Sequence, residues 1–158
     1  MPIDATELRR VMGYFATGVT VVTSVIDGRP CAMTANSVTS VSLDPPLVLF
    51  CADLGSETRR GVKQSGAFAI NILDERHERI SRMFATRGPK SFSGIGFRTA
   101  ETGSPILDDA LAFLDCRLHA EYDGGDHSLV LGLIERADTL PDGKPLIFYR
   151  GGYHTLGA

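Results

Sequence analysis

Residues Thr34–Ser40 read TANSVTS, and five of these seven side chains carry a short hydroxyl or amide while none is charged. Groups of this kind donate and accept hydrogen bonds without filling space. Such a run suits a slot for a flat, polar-edged ligand, and equally the solvent face of an ordinary edge strand. Downstream, SETRRG brings Ser56, Thr58 and Arg59 to a place where a helix can begin, and the loop Thr86–Phe97 (TRGPKSFSGIGF) holds Lys90 and Phe92. Hydroxyls, helix-start N–H groups and a cation make an anion site with phosphate as its natural occupant. Ser56 also serves as a plain N-cap.

Constellations in which side chains alone break bonds are absent: there is no G-x-S-x-G, H-E-x-x-H or phosphate-binding P-loop. Gly94–Phe97 (GIGF) lacks the third glycine of a dinucleotide fingerprint and does not join a strand to a helix. His77 lies among DERHER on a solvated helix face. A weak metal triad of His119, Asp126 and His127 would form if a hairpin centred on Asp123–Gly124. A chain rich in small hydrogen-bonding groups and poor in acid–base machinery fits a protein whose cofactor does the difficult chemistry. A flavin meets that description. Its ring needs an apolar slot with a few donors and acceptors, its ribityl chain needs hydroxyls and amides, and its phosphate needs a cation. Hydride transfer from a nicotinamide to a flavin depends on stacking and positioning more than on a protein acid or base.

The elements that must position these groups follow from pattern. Asp4 and Glu7 form a capping box for a first helix with Leu8, Val11, Met12 and Phe15 on one apolar face, ending at Gly18. Val19–Ile26 is rich in β-branched residues and reads as a strand, followed by a turn at Asp27–Pro30. Strands are expected through Cys31–Ser37, Val38–Ser42, the apolar run ending at Cys51 and Ala52, and Ala67–Leu73. Ser56 caps a short helix, and Asp74 opens another with Ile80, Met83 and Phe84 on its apolar side. The last third is β-rich, with a hairpin turn at Asp123–Asp126. The fold class expected is mainly β: a β-barrel with peripheral helices, without the βαβ alternation of a Rossmann fold.

Composition bounds the rest. The 158 residues suggest a single domain spanning 1–158. Net charge is −3, from 16 basic and 19 acidic residues, with no basic run, so no nucleic-acid partner is expected. No apolar run approaches the ~20 residues of a membrane span. The opening MPIDATELRR lacks the apolar stretch of a signal peptide. Three widely spaced cysteines, Cys31, Cys51 and Cys116, argue against a disulfide framework or a zinc site and for a reducing cytoplasm.

Taken in order, FATGVTVVT (Phe15–Thr23), MTANSVTSVSLDPPLVLFCA (Met33–Ala52), SETRRGVKQSGAFAINIL, KSFSGIGF, GSPILDDALAFLDCRL, GGDHSLVLG (Gly124–Gly132) and PLIFYRGGYHTL resemble the short-chain flavin reductases. These are the reductase components of two-component flavin-dependent monooxygenases. The resemblance covers nearly the whole chain, and S-V-S-x-x-P-P-L and G-D-H are its most specific blocks. It implies an FMN-binding split barrel of Greek-key type, a homodimer with flavin near the interface, and hydride transfer from NADH or NADPH to FMN or FAD. It implies flavin contacts from Met33, Thr34, Ala35, Asn36 and Ser37, continued by Thr39, Ser40, Cys51 and Ala52. Ser56, Thr58 and Arg59 would approach the phosphate, with Lys90 and Phe92 beside the flavin. His127 would stand at the nicotinamide, with Tyr149, Arg150, Gly151, Gly152 and Tyr153 as a wall and Phe15 and Thr17 reaching over from the partner subunit. Reduced flavin would pass to a monooxygenase or stay bound as a prosthetic group. The alternative is a flavin-binding or flavin-storage barrel without catalysis. No long tail follows YHTLGA, so relatives with regulatory tails are not the expected pattern.

Overall fold

The computed structural model describes residues 1–140 and 142–157. Helix α1 (Ala5–Met12) is capped by Asp4, whose carboxylate accepts the Glu7 N–H at 2.8 Å. It ends at Gly13 and not at Gly18, because β1 (Thr17–Gly18) is extended and pairs with Phe148 and Ile147. Next come β2 (Thr20–Ile26), β3 (Arg29–Ala35), β4 (Val38–Leu43), β5 (Pro46–Asp53), α2 (Glu57–Ser65) and β6 (Ala67–Ile72). A 3-10 turn (Glu75–His77) leads into α3 (Glu78–Phe84). The expected single helix from Asp74 is broken there because His77 Nδ1 folds back to accept the Asp74 N–H at 3.1 Å, tightening the first turn. The chain closes with β7 (Phe97–Thr99), β8 (Pro105–Leu107), β9 (Ala112–Gly124), β10 (His127–Thr139), β11 (Leu146–Tyr149) and β12 (Gly152–Thr155).

Seven strands form one antiparallel sheet in the order β3-β2-β6-β9-β10-β5-β4. Its two edge strands, β3 and β4, are consecutive in the chain and joined by only Asn36 and Ser37. So short a link brings the two edges together and rolls the sheet into a barrel. The Cys51 N–H donates to Ser37 O at 3.2 Å and fastens the link onto β5. The small sheets β1-β11-β12 and β7-β8 lie outside the seven-stranded sheet.

Strand β2 has both faces covered. Val22 packs into one core with Phe50, Phe68, Ile70 and Val130, whereas Val21 joins Leu73, Phe84 and Leu146 in a second core. Burial on both sides explains why TVVTSVI is apolar and β-branched without strict alternation. The hairpin between β9 and β10 turns on Gly125, at φ 79°, and Asp126. His127 pairs with Gly124, five residues from His119, which is roughly 16 Å along a strand. The register therefore separates His119 from His127, and the triad with Asp126 does not form.

Candidate functional site

The seam of the barrel is also where it opens to a cleft. A cleft of about 620 Å³ lies there, within the roughly 300–1,000 Å³ usual for small-molecule sites. Met33, Thr34, Ala35, Asn36 and Ser37 line it, together with Cys51. TANSVTS thus straddles the end of β3, the link and the start of β4. Its hydroxyls are unevenly committed. Thr34 Oγ1 donates to Ser81 O at 2.6 Å and ties β3 to α3. Ser37 Oγ lies 3.4 Å from both the N and O of Cys51. The exposed Asn36 amide has no hydrogen-bond partner among the described residues, so it faces the cleft with its donors and acceptor available.

Alternation along β5 decides which of its residues reach the cleft. Val48, Phe50 and Ala52 point into the barrel core, so the Ala52 side chain is fully buried, while Cys51 and Asp53 line the cleft. Thr39 and Ser40 are exposed on β4 beyond the cleft lining. Helix α2 sorts its residues by the same geometry with a different period. Thr58, Gly61 and Val62 form its buried stripe, Arg59 turns to Glu121 at 2.7 Å, and Ser56, Glu57 and Arg60 face the cleft. Of the three residues expected at an anion, Ser56 lines the cleft, whereas Thr58 is 1% exposed and Arg59 is turned to Glu121; the cation that α2 gives to the lining is Arg60. Ser56 Oγ accepts the Arg59 N–H at 3.2 Å, so it caps the helix while lining the cleft. Glu57 is neutralised by Arg29 at 2.7 Å.

The facing wall comes from the end of α3 and the segment after it, with Arg87, Gly88, Pro89 and Lys90 beside the buried Phe84 in the lining. Phe92 does not line the cleft. It stacks behind the wall on Phe84, with centroids 5.1 Å apart, and on Phe97. Lys90 was expected from the loop, whereas Arg87 of this wall and Glu57 and Arg60 of α2 do not stand out in a sequence read for small polar runs. The burial stripe of α2 was the readable signal for Arg60. His127, first residue of β10, reaches the cleft and holds Asp126 Oδ1 at 2.7 Å from its Nδ1. That bond holds the Asp126 carboxyl below the ordinary aspartate value.

The remaining expected residues assemble elsewhere on this chain. Tyr149, Arg150, Gly151, Gly152 and Tyr153 form the β11–β12 hairpin. Arg150 lies over the Tyr14 ring at 4.7 Å, and its N–H donates to Gly13 O at 2.8 Å. Tyr153 Oη meets Ser81 Oγ at 2.6 Å on α3. Thr17 pairs with Phe148 beside them, and Phe15 is 68% exposed. None of these seven lines the cleft of its own chain.

Residues 12–157 match the flavin reductase like domain. The chain is 42% identical over 153 residues to the reductase subunit HsaB of a flavin-dependent monooxygenase from Mycobacterium tuberculosis, covering 96% of this chain and 82% of that protein. A flavin reductase from Pseudomonas putida is 38% identical over 157 residues, covering 99% and 92%. Among solved structures, the NADH:FAD oxidoreductase SgcE6 of Streptomyces globisporus superposes with a TM-score of 0.93 at 37% identity, covering 100% of this chain and 96% of that one. SgcE6 has also been solved in complex with NAD and FAD fragments. These matches run through the barrel, its seam and the helices bordering the cleft, and the chain belongs to the flavin reductase-like family.

Proposed function

We propose that this chain is an NADH-dependent flavin reductase that takes FAD or FMN into the seam cleft and supplies reduced flavin to a partner monooxygenase. The observation that carries the reading is the make-up of that cleft: an uncharged wall of Thr34–Ser37, three cations in Arg60, Arg87 and Lys90, and one imidazole, His127. A bound flavin supplies the acceptor for the hydride that a reduced nicotinamide gives up. The chain's own task is positional. Asn36 and the backbone of the link meet the polar edge of the ring, where a bulkier or charged side chain would block the slot or be stranded without a partner. Arg60, Arg87 and Lys90 hold phosphate oxygens. Phe84 closes the floor against water. His127 meets the nicotinamide.

The protein works as one domain and as a homodimer. Leu8, Val11, Met12 and Phe15 make the apolar face expected of α1, yet each is at least half exposed, as unpaired interface residues are. A partner docked there would bring its own Phe15, Thr17 and β11–β12 hairpin toward the cleft. The three free cysteines fit a cytoplasmic setting. NADH oxidation followed by its near-ultraviolet absorbance, with FMN and then FAD added, tests the reading. Turnover that saturates with flavin is expected. Flavin binding without turnover would leave a storage protein, and neither would refute the assignment.

A further inference from the structure

The turn that opens β10 carries an imidazole–carboxylate pair whose two members have different places. His127 lines the cleft, whereas Asp126 does not, and the Asp126 side chain is 93% exposed. Whatever Asp126 does for a bound ligand, it does through His127. The backbone around the pair is fixed on both sides. His127 pairs with Gly124 in β9 and with Asp53 in β5, and the Leu54 N–H donates to Asp126 O at 3.2 Å. Among the described residues no side-chain hydrogen bond joins Asp53 to the ring; its Oδ1 accepts the Gly55 N–H at 2.8 Å.

A carboxylate has no proton to give. The 2.7 Å contact between His127 Nδ1 and Asp126 Oδ1 therefore requires the proton on Nδ1. In the neutral ring, Nε2 then carries the lone pair. It is the nitrogen across the ring from Asp126, and so the one left for a ligand. A nitrogen with a lone pair accepts hydrogen bonds and repels another acceptor.

We propose that Asp126 is a positioning residue that fixes His127 as the Nδ1–H tautomer, so that Nε2 accepts an N–H from the ligand and selects nicotinamides that carry a carboxamide NH2. The selectivity rests on the reductase reading; the tautomer does not. A ring of the other tautomer would present a donor and would take a ketone as readily as an amide.

Two measurements test it. The first is nitrogen-15 NMR of histidine-labelled protein without flavin, at a pH where the ring is neutral. The wild type is expected to show His127 protonated at Nδ1. Asp126→Ala should move the proton mainly to Nε2, while Asp126→Asn, which keeps a carbonyl acceptor in place, should leave it on Nδ1. A wild-type ring protonated mainly at Nε2, or an unchanged ring in Asp126→Ala, overturns the proposal. The second compares NADH with its reduced acetylpyridine analogue, whose methyl ketone has no N–H. The wild type should prefer NADH in kcat/KM by about tenfold or more, because a site built to accept an N–H rejects the analogue lacking it. In Asp126→Ala the preference should fall to about threefold or less, through a raised KM for NADH and not a lowered kcat. Asp126→Asn should keep it. Equal loss in both variants would assign the effect to charge and overturn the tautomer account. A wild type that oxidises no NADH with either flavin would overturn the reductase reading and the selectivity with it, while the NMR still decides the tautomer.

Discussion

Arg59 and Arg60 are neighbours in the chain with different tasks. Arg59 reaches Glu121, which also accepts from Ser128 Oγ at 2.5 Å. Arg60 lines the cleft. Arg59→Ala should lower stability by about 1–3 kcal/mol, since it leaves a mostly buried carboxylate short of a charged donor. Arg60→Ala should leave the urea midpoint nearly unchanged and weaken flavin binding about tenfold, the loss of one charge-assisted hydrogen bond. Chemical unfolding and flavin fluorescence titration of the two variants separate these effects, and a reversed pattern would refute the assignment. The residue types needed for an anion were legible in SETRRG. Which arginine reaches the cleft was not, because it depends on the rotation of α2 about its axis. That rotation is set by Thr58, Gly61 and Val62 packing inward, with Gly61 so close that an added Cβ would stand 2.7 Å from Cys31 Sγ.

At the scale of elements, the strands and their turns were the most readable part. The Gly-Gly-Asp turn, the β-branched run of β2 and the cap of α1 each rest on local chemistry, and each lies where local chemistry puts it. Local chemistry does not specify packing distance. Gly132 sits at a register shift between β9 and β10, and a Cβ there would overlap the Phe68 ring and approach Cys116 Cβ at 2.7 Å. Gly132→Ala is therefore expected to destabilise the barrel by about 1–3 kcal/mol through overpacking, measured as a lower urea midpoint at unchanged m. An unaffected midpoint would mean that the ring moves aside freely. The wall after α3 was opaque for the opposite reason. Arg87, Gly88 and Pro89 line the cleft from a segment whose ends are joined by the stacking of Phe92 on Phe84, a packing fact that no periodicity records.

At the scale of the whole molecule, three groups that are at least partly buried bind protons more weakly folded than unfolded. Burial holds His77 below its ordinary 6.5. Burial raises Glu121 and Asp74, but hydrogen bonds from Ser128 and Arg59 to the first, and from Arg76 to the second, outweigh it and leave both below their ordinary 4.5 and 3.8. In each case the unfolded chain takes up the proton first, so stability is full above the unfolded value and falls as pH drops through it. The urea midpoint should be level above about pH 7, decline below about 6.5 as His77 is titrated in the unfolded state, and fall again below about 4.5. A midpoint level down to pH 5 would contradict the half-buried His77 whose proton affinity is lowered. Assembly belongs to this scale too. Val11→Glu on the exposed face of α1 should convert a dimer to a monomer in sedimentation velocity, and an unchanged dimer would place the interface elsewhere. The central claim is that the seam between β3 and β4 is where the flavin lies. Asn36 is exposed at that seam, so Asn36→Trp fills the cleft without disturbing the core. The decisive measurement is flavin-dependent NADH oxidation by Asn36→Trp protein whose urea midpoint matches the wild type. The account predicts that turnover and flavin binding are both lost. Wild-type turnover in that variant would show that the flavin binds elsewhere.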